Sequence, residues 1–127
     1  MRILEEVREY KIKNKIPVLA GGVFPTFAPD LCVKYDLVDL ICVGEGEEAL
    51  AEVCQRVQEK KDFENVTNLW VKLKDGSIKK NSITKPVDIN KNPIIDTSLF
   101  EESRLYRPMA GKVYKMYPME TIRGCPY

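Results

Sequence analysis

The chain has 127 residues, with 20 Lys and Arg against 19 Asp and Glu, no His, four Cys and 44% hydrophobic residues. This composition predicts one ordinary soluble domain that can bury a core without disulfides. The near-zero net charge excludes bulk electrostatic attraction to nucleic acid or anionic membrane as the main activity, and the absence of His excludes Ser-His-Asp and Cys-His catalysis and imidazole metal ligands within this chain.

The first half of the chain alternates between helical and strand patterns. Apolar residues that recur every three or four positions predict amphipathic helices. Short unbroken apolar runs predict strands that are buried on both faces, as in a parallel sheet covered by helices. The predicted elements, in chain order, are a helix over residues 2–13, a strand over 16–20, a helix over 24–35, a strand over 40–43 and a helix over 47–61.

This order predicts an α/β fold, part of a Rossmann-like (flavodoxin-like) parallel sheet. Two strands are too few for an open sheet of this kind, which usually has five or six. We therefore expect neighbouring strands to come from sequence upstream of Met1 or from another chain. A strand edge exposed near Val18 or near Ile41 would then favour self-association of the chain.

The second half begins with a hairpin pattern. Asp75-Gly76 separates two strand-like runs and predicts an antiparallel hairpin with a type I′ turn, in which both central residues have positive φ. From about residue 81 to 118 the spaced prolines indicate a loop-like linker, with a possible short helix over 98–105. The basic, tyrosine-rich tail is compatible with a nucleic-acid surface, but a solvated linker with packing tyrosines explains it equally well.

The cysteine spacing and the amino-terminal sequence indicate which metal sites and which cellular compartment to expect. Cys32, Cys42 and Cys54 lie in apolar patterns and are expected to be small buried side chains. Together with Cys125 they match no zinc or ferredoxin spacing, and no disulfide framework is implied. No signal peptide or run of about 18 apolar residues is present, so we expect a cytoplasmic protein without membrane or nucleic-acid partners.

Two glycine motifs indicate where a ligand would bind. Gly21-Gly22 ends the first predicted strand and Gly44-Glu45-Gly46-Glu47 ends the second, so both lie at the edge where open α/β sheets bind ligands. Tight turns alone would also explain these glycines. The carboxylates at the start of the next helix would repel a polyphosphate, and neither motif fits a dinucleotide or P-loop pattern. A largely neutral or hydroxyl-bearing ligand suits this edge better.

Four motifs, taken in order, carry a family resemblance. They are IPVLAGGVFPT at 16–26, DLICVGEGE at 39–47, the Asp75-Gly76 hairpin and IRGCPY at 122–127. Their order and spacing over nearly the whole chain resemble the cobalamin (B12)-binding radical S-adenosylmethionine (SAM) enzymes. In that family the glycine motifs belong to the C-terminal half of a Rossmann-like cobalamin domain, and RGCPY opens the partial (β/α) barrel that follows.

The resemblance implies specific site residues. It assigns to cobalamin the residues Gly21, Gly22, Pro25, Thr26, Gly44, Glu45 and Gly46. Gly21 and Gly22 would give room to the nucleotide tail. Cys125 would be the first thiolate of a CxxxCxxC set that holds a 4Fe-4S cluster, and the open iron of that cluster binds S-adenosylmethionine. One thiolate cannot hold a cluster, so the cluster and S-adenosylmethionine are expected only in a full-length parent. The family's Asp-x-His-x-x-Gly element, which supplies a lower axial His, is absent here.

The resemblance also implies a function and a division of the chain. The parent would be a methyltransferase or an enzyme like the Mg-protoporphyrin IX monomethyl ester oxidative cyclase, and the fragment alone is not expected to be active. Residues 1–64 would be the second half of the cobalamin domain, 65–85 a hairpin, 86–116 a linker and 117–127 the first strand of a truncated barrel. The alternative is a non-catalytic α/β binding module of flavodoxin-like type.

Overall fold

A computed structural model describes residues 2–124, and the chain divides into two compact units, Met1–Pro86 and Val87–Tyr127. The first unit contains the two predicted parallel strands and the glycine motifs that follow them. The second unit contains short helices and a hairpin. The helices and strands of the first unit are α1 Arg2–Glu6, α2 Arg8–Asn14, β1 Leu19–Ala20, α3 Val23–Phe27, α4 Pro29–Cys32, β2 Leu40–Cys42, α5 Glu47–Glu59, β3 Leu69–Lys72 and β4 Ile78–Lys80.

The first unit contains a four-stranded sheet in the order β1-β2-β3-β4. β1 and β2 are parallel, with Leu19 opposite Leu40, and this pair with its helices confirms the predicted α/β fold class. β3 is antiparallel to both β2 and β4. Because β3 covers the second edge of β2, the open edge that was expected near Val18 or near Ile41 lies at β1, near Val18, and not at β2. Within residues 2–124, β1 has a strand neighbour on one side only.

The central strand β2 packs on both of its faces. Leu40 and Cys42 belong to one buried cluster, which includes Val53 of α5. Ile41 belongs to a second cluster, which includes Cys32 of α4. Successive residues of a strand point to opposite faces of the sheet, so the continuous apolar run of β2 follows from helical cover on both sides, as the sequence predicted.

A carboxylate fixes the amino ends of the parallel strands. The side chain of Asp39 accepts a hydrogen bond from the backbone N–H of Val18 at 2.7 Å and one from Nζ of Lys11 at 3.0 Å. Lys11 lies on α2, so the same carboxylate joins that helix to the entrance of β1. This link sets the position of β1 against β2, and therefore of the loops that follow both strands.

The amino-terminal helix is divided and only lightly packed. α1 and α2 meet at Val7, where helical hydrogen bonds still run from Val7 N to Ile3 O (3.2 Å) and from Lys11 N to Val7 O (2.9 Å). Leu4 packs against a buried cluster, whereas the side chain of Ile3 is 74% exposed. The predicted apolar face is therefore present but largely uncovered within the described residues.

The β3–β4 hairpin forms as predicted, but with a different turn. Leu73 O accepts from Gly76 N at 3.0 Å, and Leu73 N donates to Ser77 O at 2.9 Å. Gly76 has φ +84°, while Asp75 keeps negative φ. The type I′ assignment is wrong, because three loop residues with a single left-handed glycine form a wider turn with a bulge. The Asp75 carboxylate accepts from the backbone N–H and hydroxyl of Ser77.

The second unit contains more regular structure than a linker. Its elements are the 3₁₀ helices Ile89–Lys91, Thr97–Leu99 and Glu102–Leu105 and the antiparallel strands β5 Tyr106–Met109 and β6 Lys112–Lys115. The loop-like interpretation of 86–116 missed this hairpin because its turn residues, Ala110 and Gly111, both take positive φ, which Ala rarely does. Residues 117–124 form no helix or strand. The assignment of 117–127 to a barrel stays a prediction.

Candidate functional site

The loops after the two parallel strands lie against each other. The backbone N–H of Gly44 donates to Oγ1 of Thr26 at 3.1 Å. A Cβ built on Gly21 would lie 3.7 Å from Cβ of Cys42, which is an ordinary contact. The structure therefore places the two predicted loops side by side at the carboxyl edge of the parallel strands, with a direct contact between Thr26 and Gly44. Their role in binding stays a prediction.

Gly22 leaves open space at this edge. It precedes α3 with φ 96° and ψ −164°, a backbone conformation that is essentially restricted to glycine. A Cβ built on it meets no atom within 4 Å. The Gly22 carbonyl accepts from the backbone N–H of Thr26 at 3.1 Å, and Pro25 of the same loop is buried. The motif thus holds a bare stretch of backbone facing outward.

Apolar side chains flank this bare backbone. Val23 and Phe27 of α3 are 77% and 84% exposed, and they lie four residues apart on a short helix that begins directly after Gly22. Large apolar side chains with this exposure are costly to leave in water when they are grouped. The surface beside Gly22 therefore suits a ligand with an extended apolar part.

The second loop is packed on the thiol of Cys42. A Cβ built on Gly46 would lie 3.6 Å from Sγ of Cys42, and that sulfur lies 3.7 Å from the carbonyl oxygen of Glu45. Gly46 is the N-cap of α5, and its carbonyl accepts from Leu50 N at 2.8 Å. A Cβ at position 46 would therefore make an ordinary contact with the thiol, and the loop packs directly on the Cys42 side chain.

Charge at the start of α5 affects both the thiol and the choice of ligand. Burial, and to a smaller degree the nearby Glu47 carboxylate, raises the pKa of the Cys42 thiol. Glu47 and Glu48 occupy the first turn of α5, where they complement the partial positive charge of the helix end. These carboxylates compete with a bound phosphate, so the geometry supports the expectation of a ligand without polyphosphate at this point.

Asn68 is the residue at this site that sequence reasoning missed. It is 4% exposed and takes φ 66°. Its Nδ2 donates to the carbonyl of Glu45 at 2.9 Å, and its Oδ1 accepts from the backbone N–H of Thr84 at 2.7 Å. In the sequence, an Asn before an apolar run looks like an ordinary strand boundary. Its partners, Glu45 and Thr84, are distant in sequence, so no local pattern indicated these hydrogen bonds.

The cysteines differ in their surroundings. Cys32 and Cys42 are buried free thiols as expected, but Cys54 is exposed, because it lies on the outer face of α5. Cys125 lies outside the described residues. Within residues 2–124, no group of three or more His, Cys, Asp or Glu side chains could hold a metal ion.

In the same part of the chain, no helix combines the length and apolar character needed to cross a bilayer.

Two surface hollows lie apart from these loops. One of about 170 Å³ is lined by residues that include Leu4, Arg8 and Tyr35. Another of about 420 Å³ is lined by residues that include Lys11 and Phe63. Neither is lined by a residue of the glycine loops, which form an open edge rather than a closed cavity.

Comparison with known families identifies the first part of the chain. Residues 1–54 match the family described as the B12-binding domain. This segment, which is less than half of the chain, is similar to the B12-binding domain family. The match includes both glycine loops, and with the fold it confirms the recognition that was based on the four motifs. Among curated proteins, none matches the chain.

The fold of this segment and the residues after it is similar to two solved structures of the cobalamin-dependent S-adenosylmethionine radical enzyme OxsB. The structure with aqua-cobalamin and S-adenosylmethionine bound has a TM-score of 0.57 and 20% identity, over 71% of this chain and 12% of that one. The structure with aqua-cobalamin alone has a TM-score of 0.52 and 21% identity, over 64% of this chain and 12% of the other. The chain thus spans about one eighth of the length of OxsB, and the likeness shows the fold.

Proposed function

We propose that this chain forms the second half of the cobalamin-binding domain of a cobalamin-dependent radical SAM enzyme. The observation that carries the proposal is the open backbone at Gly22, held against the second glycine loop inside the segment that matches the B12-binding domain. Cobalamin has a bulky nucleotide tail that must approach the main chain closely. A glycine whose Cβ position is empty space fits that requirement.

The chain's own residues have binding roles in this proposal. Gly21 and Gly22 would give room to the nucleotide tail, Pro25 and Thr26 would fix the shape of their loop, and the segment from Gly44 to Gly46 would line the crevice from the neighbouring strand. The raised pKa of Cys42 keeps its thiol protonated at neutral pH, and a protonated thiol is a poor nucleophile. The site therefore acts by binding and orientation.

The cofactors would supply the chemistry in the parent enzyme. When bound, cobalamin supplies a methyl group or assists a radical reaction, as is usual for enzymes whose cofactors carry the difficult step. We propose Cys125 as the first thiolate of the 4Fe-4S site that binds S-adenosylmethionine in the parent. A methyltransferase and an oxidative cyclase of the Mg-protoporphyrin ester type are both compatible with these residues. A cytoplasmic location is part of the same proposal.

A ligand titration separates this function from the flavodoxin-like alternative. Trp70 is the single tryptophan of the chain and lies half-buried on β3, so its fluorescence reports on ligands in the first unit. Corrinoids absorb light at tryptophan emission wavelengths. We expect aqua-cobalamin to quench Trp70 with a saturable curve and flavin mononucleotide to give only the weak quenching of free tryptophan. Saturable flavin binding without cobalamin binding would contradict the proposal.

A further inference from the structure

A short segment after the hairpin is fastened to the second glycine loop. The backbone N–H of Asn68 donates to Ser82 O at 2.9 Å, and the backbone N–H of Thr84 donates to Oδ1 of Asn68 at 2.7 Å. The hydroxyl of Thr84 also lies 3.0 Å from Nδ2 of Asn68. One buried residue therefore holds residues 82–84, which we call the strap, at both ends: its backbone N–H binds Ser82 and its side chain binds Thr84.

Asn68 also holds the second glycine loop, Gly44–Gly46. Its Nδ2 donates to the carbonyl of Glu45 at 2.9 Å, and its backbone carbonyl accepts from Val43 N at 2.8 Å. The side-chain amide uses both its donor and its acceptor atoms. Because the loop and the strap bind to one residue, their separation is fixed by the geometry of Asn68.

The strap presents an apolar surface beside the loop. A Cβ built on Gly44 would lie 3.5 Å from Cγ2 of Ile83, which places Ile83 in contact distance of that glycine. The Ile83 side chain is nevertheless 60% exposed. The Ile83 side chain therefore both contacts the glycine loop and leaves apolar surface exposed directly beside it.

We propose that the strap is a third wall of the cobalamin crevice, with Ile83 in contact with the cofactor and Asn68 as the positioning residue that holds the wall. The inference rests on the proposed function and extends it to residues 68 and 82–84, which lie beyond the segment matched by the B12-binding family. The first two walls are the loops at Gly21-Gly22 and at Gly44–Gly46. A third wall supplies apolar contact that the glycines themselves lack.

A matched pair of isoleucine variants tests the contact. Ile83→Ala is compared with Ile12→Ala, whose side chain is 63% exposed on α2 and lies away from the glycine loops. Aqua-cobalamin affinity is measured by equilibrium titration of each full chain. We expect about a tenfold loss of affinity for Ile83→Ala and none for Ile12→Ala, with similar thermal stability for both.

A second pair tests the positioning role. Asn68→Gly keeps the left-handed backbone conformation that the site requires and removes the side-chain links. Its control is Asn81→Gly, which removes a hydrogen bond to Leu69 O in the same hairpin. We expect faster hydrogen exchange of the Thr84 amide and weaker cobalamin binding in the first variant only. If Asn68 has only a structural role, both variants will lose stability and will bind cobalamin with equal affinity.

The outcomes separate the two proposals. If the wild-type chain binds aqua-cobalamin and Ile83→Ala binds as tightly as Ile12→Ala, the third wall is overturned and the proposed function stands. If Thr84 exchange is unchanged in Asn68→Gly, the positioning role is overturned without reference to any ligand. If the wild-type chain does not bind aqua-cobalamin, both the function and the wall are overturned.

Discussion

The hydroxyl oxygen of Thr26 accepts a hydrogen bond from the backbone N–H of Gly44 at 3.1 Å. This bond joins the loop after β1 to the loop after β2, across 18 positions of sequence. Both loops carry the glycines assigned to the cofactor. The link explains how two short strands of two and three residues can present one continuous binding edge.

Removal of this link is expected to loosen the edge. Thr26→Val keeps the shape of the side chain but deletes the acceptor, so the partly buried N–H of Gly44 loses its partner. We expect the free energy of unfolding to fall by about 1 kcal/mol, measured by urea denaturation. Thr26→Ser retains the hydroxyl and serves as the control. Equal stability of the Val and Ser variants would show that the bond contributes nothing.

The raised pKa of the Cys42 thiol implies that the folded chain becomes less stable against unfolding at alkaline pH. Burial, with a smaller effect of Glu47, raises its pKa in the folded chain, while the unfolded chain has the ordinary value of about 8.5. Above that pH the unfolded chain releases the proton first, so the free energy of unfolding decreases as pH rises. At pH values below the unfolded-chain pKa, the contribution of Cys42 to the free energy of unfolding is fully present. Urea denaturation at neutral and alkaline pH measures the effect.

The control for this prediction is the Cys42→Ala variant, which lacks the titrating group. Its stability should fall less steeply with rising pH than that of the wild type, and the part that remains includes Cys32, whose pKa is also raised by burial. In the folded wild-type chain without urea, Cys54, which is exposed, should be alkylated much faster than Cys42. An identical alkaline slope in wild type and variant would refute the assignment.

The open edge of β1 predicts self-association, which we propose for the chain in solution. Within the described residues β1 pairs with β2 alone, and unpaired strand edges bind other chains. Sedimentation velocity at micromolar concentration should show species larger than a monomer. Ile16→Lys, which places a charge beside this edge, should reduce them, whereas Val57→Lys on α5 should not. A monodisperse wild-type monomer would rule the proposal out.

The sequence predicted those parts of the fold that depend on local pattern. The unbroken apolar run of β2 indicated burial on both faces, the apolar stripe after Glu47 indicated α5, and Asp75-Gly76 indicated the hairpin. Parallel pairing and the meeting of the glycine loops followed from the general topology of α/β sheets. These features need only residue periodicity and turn chemistry, so one sequence was enough to find them.

The remaining features depend on contacts between distant residues or on unusual backbone conformations. The link from Asn68 to Thr84 spans 16 positions, and nothing in the local pattern distinguishes this Asn from a strand boundary. The β5–β6 hairpin was missed because Ala110 takes φ 49°, a conformation that favours Asn or Gly. The antiparallel addition of β3 to β2 likewise leaves no local mark in the sequence.

The most direct test of the central claim is the affinity of aqua-cobalamin for Gly22→Ala compared with Gly76→Ala. Both glycines have positive φ, at +96° and +84°, and a Cβ on either meets no atom within 4 Å. Both variants should therefore lose stability from backbone strain, about 1–2 kcal/mol for Gly76→Ala and up to about 3 kcal/mol for Gly22→Ala, whose conformation is nearly restricted to glycine. If Gly22 borders the cofactor, only Gly22→Ala will lose at least about tenfold in affinity. Equal affinity of the two variants would contradict the placement of cobalamin at this edge.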